Sequence, residues 1–240
     1  MHPLAALLAA GAGLAGAGDP ATRCADPALR CPDLVMRAPY ELRSERRAGR
    51  ARLRAANAIY SLGRGPLAIE GRRDGPRTMA VTQRIYTRSG GHVTVPSTGR
   101  LAFKSIPGQG RYWKFADAAR FELWTLGPRR RLVRTGPKAI YCLRDLRRTH
   151  PSVRSPRSRV FPGCSQDAGR RAVMLGTSVG WADIYPAGYH EQWVDVTGLR
   201  GCFALWHIAD PLDGILESDE ANNAARTVVR LPFRGGAGRC

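Results

Sequence analysis

Over residues 41–58, ELRSERRAGRARLRAANA, the hydrophobic pattern admits two readings. Propensity favours a helix, because breakers are few. The positions Leu53, Ala55, Asn57 and Ile59 equally fit one side of a strand. Gly63-Arg64-Gly65-Pro66 then turns the chain. Short β-type runs follow at 79–87, 92–96, 119–126, 138–143, 192–197, 202–209 and 226–232, most of them bounded by Gly, Pro, Asn or Asp. Residues 144–180 carry no clear element and read as one long surface loop. The pattern predicts an all-β fold: a β-sandwich-like single domain with long irregular loops. With no internal repeat and no dividing linker, the domain is set at 34–233, between an 18–33 lead-in and a 234–240 tail.

Charge adds a second constraint. The 240 residues hold 38 Lys+Arg against 19 Asp+Glu, a formal net charge of +19. Nearly all of it is arginine, since Lys104, Lys114 and Lys138 are the only lysines. Basic runs at 43–54, 129–134 and 144–159 lack the interleaved aromatics of a nucleic-acid stacking surface. Dedicated nucleic-acid binding is therefore not expected. Low-specificity attraction to an anionic surface or cell-wall polymer is.

Residues 4–17, LAALLAAGAGLAGA, end in Ala15-Gly16-Ala17, the small-x-small pattern that precedes signal cleavage, and Asp19-Pro20 follows. This predicts a signal peptide over 1–17 and a secreted or cell-surface protein, although the leader lacks Lys and Arg. No other apolar run reaches the roughly 18 residues of a membrane span. The six cysteines, Cys24, Cys31, Cys142, Cys164, Cys202 and Cys240, form an even count that suits disulfides. Cys24 and Cys31 can close a local staple, and Cys142 and Cys164 can tie the ends of the arginine-rich loop. Spacing alone leaves every pairing open. No Cys-x-x-Cys pair marks a zinc ribbon. Near the C-terminus, Asp210, Asp213, Glu217, Asp219 and Glu220 have the composition of a calcium site but not the EF-hand spacing. Side chains capping a hairpin turn is the preferred reading.

The stretch 176–200, GTSVGWADIYPAGYHEQWVDVTGLR, together with Gly136-Pro137-Lys138-Ala139-Ile140-Tyr141-Cys142-Leu143, resembles the lysyl oxidase family. The Gly-Trp-x-Asp-x-Tyr and Gln-Trp-x-Asp-x-Thr pair carries most of the resemblance. It implies a copper amine oxidase with a lysine tyrosylquinone made from its own chain. Lys138 falls on the quinone lysine and Tyr185 on the quinone tyrosine. Asp183, two residues before Tyr185, is a candidate for orientation or proton transfer. In such chemistry the quinone carbonyl condenses with a substrate amine, and an aldehyde, ammonia and hydrogen peroxide are released.

The family's copper motif, three alternating histidines, falls here on Gly110-Arg111-Tyr112-Trp113-Lys114-Phe115, so the ligand positions hold Gly110, Tyr112 and Lys114. Copper(II) favours imidazoles, whereas a lysine ammonium repels a cation. Alternation puts the three positions on one strand face, with the Lys114 charge about where the metal would sit. His2, His92, His150, His190 and His207 offer no i, i+2 or i, i+4 pair to rebuild the site. Copper and quinone are thus implied by resemblance but expected to be absent. Two functions compete: a non-catalytic, exported binding domain, which is preferred, and a copper/quinone oxidase of lysyl or other primary amines.

Overall fold

A computed structural model describes residues 24–235 and 240. The expected leader at 1–17 lies outside these residues, as does most of the C-terminal tail. Among the described residues there are sixteen strands and no helix. The first eight are β1 (Leu29–Arg30), β2 (Leu34–Met36), β3 (Tyr40–Arg47), β4 (Arg50–Ser61), β5 (Leu67–Gly75), β6 (Thr78–Thr87), β7 (His92–Ile106) and β8 (Gly110–Thr125). The rest are β9 (Leu132–Thr135), β10 (Ala139–Tyr141), β11 (Arg147–Arg148), β12 (Ala172–Thr177), β13 (Trp181–Tyr185), β14 (Val194–Asp195), β15 (Gly201–Ala209) and β16 (Ala224–Leu231).

The larger sheet has the order β12-β5-β6-β7-β8-β15-β16, with β1 added to β6, and β9 and β10 added to β8. The smaller sheet has the order β11-β13-β4-β14, with β2 and β3 also on β4. Leu34, Met36, Leu53 and Ile59 of the smaller sheet join Leu67, Ile69, Leu101, Trp113, Phe115, Phe121 and Leu205 of the larger in one buried cluster. Each such side chain contributes about 2 kcal/mol by leaving water. The all-β single-domain fold predicted from the pattern is the one observed.

The helical reading of 41–58 is corrected. The segment is the β3–β4 hairpin, reversing at Ala48 (φ 50°) and Gly49 (φ 73°), where two successive left-handed residues suit a tight two-residue turn. Every residue from Leu53 to Ile59 is buried. β4 pairs with β2, β3, β13 and β14 along its length, so central-strand packing overrides the helix propensity of its alanines and arginines. The 144–180 loop is also less irregular than expected. Residues 147–148 pair with β13, and 172–177 pair with β5 over six positions. β5 itself, LAIEGRRDG, lies outside the runs read from the sequence.

Three disulfides join Cys24 to Cys31, Cys142 to Cys164 and Cys202 to Cys240. The first two are the local staple and the loop tie considered from spacing. No helix among the described residues is long and apolar enough to cross a membrane.

Candidate functional site

Three tyrosines meet between the sheets. Tyr141 comes from β10, in register with Phe115 of the larger sheet. Tyr185 ends β13, in register with Asn57 of the smaller one. Their rings stack across the sandwich at 3.7 Å and 11°. Tyr189, one turn further along the chain, meets Tyr185 edge-on at 4.8 Å. The hydroxyl of Tyr141 accepts hydrogen bonds from Asn57 Nδ2 at 2.9 Å and from Gln192 Nε2. The hydroxyl of Tyr185 accepts one from the Cys142 N–H at 2.8 Å. Burial raises the pKa of both phenols well above the ordinary value, so both are neutral.

Lys114 of β8 points into this group. Its ammonium donates to the Tyr189 hydroxyl and, at 3.4 Å, to the Ile140 carbonyl. It lies 5.6 Å from the Tyr185 ring centre and 4.9 Å from that of Tyr189. The residue is 3% exposed. Desolvation lowers its pKa to about 8, against the pull of Asp183 and Glu191. Tyr112, Lys114, Arg144, Tyr185 and Tyr189 border a cavity of about 380 Å³, with Cys142 and Cys164 in its wall.

Asp183 is fully buried behind this cavity. Its Oδ2 accepts the Leu143 N–H at 3.0 Å, and its Oδ1 is 3.8 Å from Arg144 Nε. Burial raises its pKa to about 7, and the Arg144 charge opposes the shift. Glu191 accepts hydrogen bonds from Lys104 at 2.8 Å and from the Ile140 N–H at 2.9 Å. The site thus holds neutral phenols, an amine and a carboxyl that titrate near neutrality, and room for a small ligand.

The residues expected to form a quinone are not set together in the same way. Tyr185 is at the centre of the cluster. Lys138 lies just before β10 with its side chain 80% exposed, its ammonium 3.3 Å from Asp117. The lysine beside the Tyr185 ring is Lys114. Of the three expected copper positions, Tyr112 and Lys114 border the cavity. The Tyr112 hydroxyl is bound to the Gln109 carbonyl at 2.7 Å. A Cβ built on Gly110 would sit 3.1 Å from Gln166 Nε2. His190 pairs with Glu191 at 3.2 Å, and His207 is buried with its ring 4.4 Å from that of Phe121. Among the described residues no group of three or more His, Cys, Asp or Glu side chains could hold a metal. Tyr141, Tyr189, Arg144 and Glu191 escaped the sequence reading. Tyr189 lies past the end of β13, in a turn where its N–H bonds the Pro186 carbonyl, so strand alternation does not place it, and Tyr141 reaches the site only through sheet packing.

The acidic C-terminal turn uses its carboxylates on the chain itself. Asp210 accepts the Ile215 N–H at 2.7 Å, Asp219 the Ala221 N–H at 2.9 Å, and Glu217 the Leu34 N–H and Asn223 Nδ2. The Asp210 and Asp219 bonds are local turn caps of the kind expected, whereas Glu217 also ties the turn to β2 through Leu34.

No curated protein matches the chain. The family model for lysyl oxidase matches residues 73–235, a span that contains β6 to β16, the tyrosine cluster and Lys114. That match covers more than half of the chain, so the protein belongs to the lysyl oxidase family.

Proposed function

We propose that this chain is an exported lysyl-oxidase-like domain that acts by binding rather than by copper-dependent oxidation. The observation that carries the reading is Lys114. The family's usual chemistry needs a copper ion and a tyrosine-derived quinone. Here the cavity wall presents a lysine ammonium, held on the Tyr189 hydroxyl and the Ile140 carbonyl, where imidazoles would be needed. Gly110 supplies no side-chain donor, the groups at Tyr112 and Lys114 do not suit copper(II), and a fixed ammonium opposes its entry electrostatically. Lys138, engaged with Asp117 at the surface, is not poised to attack a buried ring. The net charge of +19 supports a polyanionic partner such as a cell-wall polymer. Three disulfides support an oxidising compartment.

The test uses the full chain, loaded with copper in air and treated with a carbonyl reagent. The expected result is no stoichiometric copper, no adduct, and salt-sensitive retention on anionic cell-wall material. The oxidase reading is favoured by family membership and by the presence of both Lys138 and Tyr185. Peroxide release from a primary amine, lost in Lys138→Ala and in Tyr185→Phe, would establish it instead. Absent or salt-insensitive retention would overturn the binding reading.

A further inference from the structure

Away from the tyrosine cluster, four arginines border a second cavity of about 360 Å³: Arg30, Arg64, Arg88 and Arg154. They arrive from four separate segments. Arg30 is in β1, in register with Tyr86 of β6. Arg88 follows β6, and its N–H donates to the Ala28 carbonyl at 2.9 Å. Arg64 sits in the β4–β5 turn. Arg154 belongs to a loop held to Gly180 by the Thr149 and His150 N–H groups at 2.9 and 3.0 Å. We infer that these four guanidinium groups form a binding site for a phosphate group, free or esterified.

The position is built rather than accidental. The glycines on either side of Arg64 let the turn press onto the 30–33 backbone, and a Cβ at Gly65 would lie 2.0 Å from the Arg30 carbonyl oxygen. Arg64 NH2 donates to the Cys24 carbonyl at 2.6 Å and the Asp26 carbonyl at 3.4 Å, so one fork is already oriented. The Cys24–Cys31 disulfide fixes the segment that supplies those carbonyls. Arg30, Arg88 and Arg154 have no carboxylate partner among the described residues. Of the carboxylates nearby in sequence, Asp26 accepts the Ala28 N–H at 2.8 Å and Asp33 accepts Asn222 Nδ2 at 2.9 Å, and the cavity border itself is arginine.

Four like charges around one concavity repel each other unless an anion sits between them. A lone carboxylate would neutralise one. A phosphate monoester carries about −1.5 to −2 charges near pH 7 and three acceptor oxygens. Guanidinium forks match those oxygens in bidentate fashion. The inference rests on the binding reading above and gives it a locus.

Calorimetric titration of the full chain with inorganic phosphate and pyrophosphate tests it, alongside two double variants that each remove two positive charges. Arg30→Gln/Arg88→Gln alters the cavity. Arg129→Gln/Arg131→Gln alters the connection between β8 and β9, which does not border the cavity. Saturable binding that weakens at least about tenfold in the first variant and less than about twofold in the second supports the site. Equal weakening in both, or no saturation in the wild type, overturns it. Vesicles of phosphatidylglycerol in phosphatidylcholine separate the sources. Attachment displaced by pyrophosphate marks a headgroup ligand, and pyrophosphate binding without attachment marks a soluble phosphate; either supports the site. Wild-type retention on cell-wall material that falls equally in both variants leaves the binding reading standing while this site fails. No retention at all removes the broader reading.

Discussion

Lys114 is the residue through which fold and chemistry meet. Its amine titrates at about 8 in the folded chain and at about 10.5 when solvated, because burial disfavours the ammonium. The unfolded chain therefore binds more protons between these values. Folding stability contributed by this group rises as pH climbs from about 8 to about 10.5, and the penalty is complete below about 8. That penalty is on the order of 3 kcal/mol, and the hydrogen bonds that Lys114 makes to Tyr189 and Ile140 work against it. Lys114→Met should raise the thermal midpoint at pH 7, with the gain shrinking toward pH 10. Thermal melts across that range check this, and a midpoint lowered at every pH would show that the two hydrogen bonds outweigh the buried charge. The position was visible from the sequence, since alternation along Gly110, Tyr112 and Lys114 puts them on one face. Its partner was not, because the Tyr189 hydroxyl arrives from a turn 75 residues later.

At the scale of elements, the C-terminal acidic turn and the tied loop behave oppositely. Burial and neighbouring carboxylates raise Glu220 to about 7, and burial raises Asp210 to about 6. Groups raised in this way favour the folded state at low pH, and the benefit is lost as pH rises through the folded values. Glu220→Gln should therefore raise the midpoint at pH 8, with little change at pH 4.5. Equal shifts at both pH values would show that charge is not the cause. In the loop, the Cys142–Cys164 bond spans 22 residues. Replacing both cysteines with serine should cost about 3 kcal/mol by the loop-entropy account, and urea unfolding measures it. An unchanged midpoint would mean that closing this loop in the unfolded chain is not what the bond contributes.

The elements themselves were unevenly legible. β15 and β16 show alternation between clear turns, with Phe203 opposite Val229 and Leu205 opposite Thr227. β4 was ambiguous because a strand buried on both faces loses its alternation. β5 was missed because Gly71-Arg72-Arg73-Asp74-Gly75 reads as turn chemistry, although β6 and β12 pair with it. The tyrosine stack was beyond sequence patterns altogether, since Tyr141 and Tyr185 belong to different sheets and only the packing of those sheets sets their rings together.

Over the whole molecule, a charge of +19 on 240 residues sets up self-repulsion that ordinary salt screens over about 10 Å at 0.1 M. Surface ion pairs such as Arg50–Asp195 and Arg100–Asp74 pull the other way, but such exposed pairs are individually weak. The thermal midpoint should rise as sodium chloride increases from 0.02 to about 0.3 M at pH 7. A fall would mean that the ion pairs dominate.

The three lysines differ sharply in surroundings: Lys138 open to solvent, Lys104 half-covered on Glu191, and Lys114 enclosed by tyrosines. Amine-directed coupling to a sensor chip or bead will accordingly seize the polypeptide through its α-amino group and, among the lysines, mainly through Lys138. Isotope-enriched methyl tags would mark the Lys138 and Lys104 amines in the folded chain, and a third side-chain resonance, from Lys114, would appear only when the tyrosine enclosure opens.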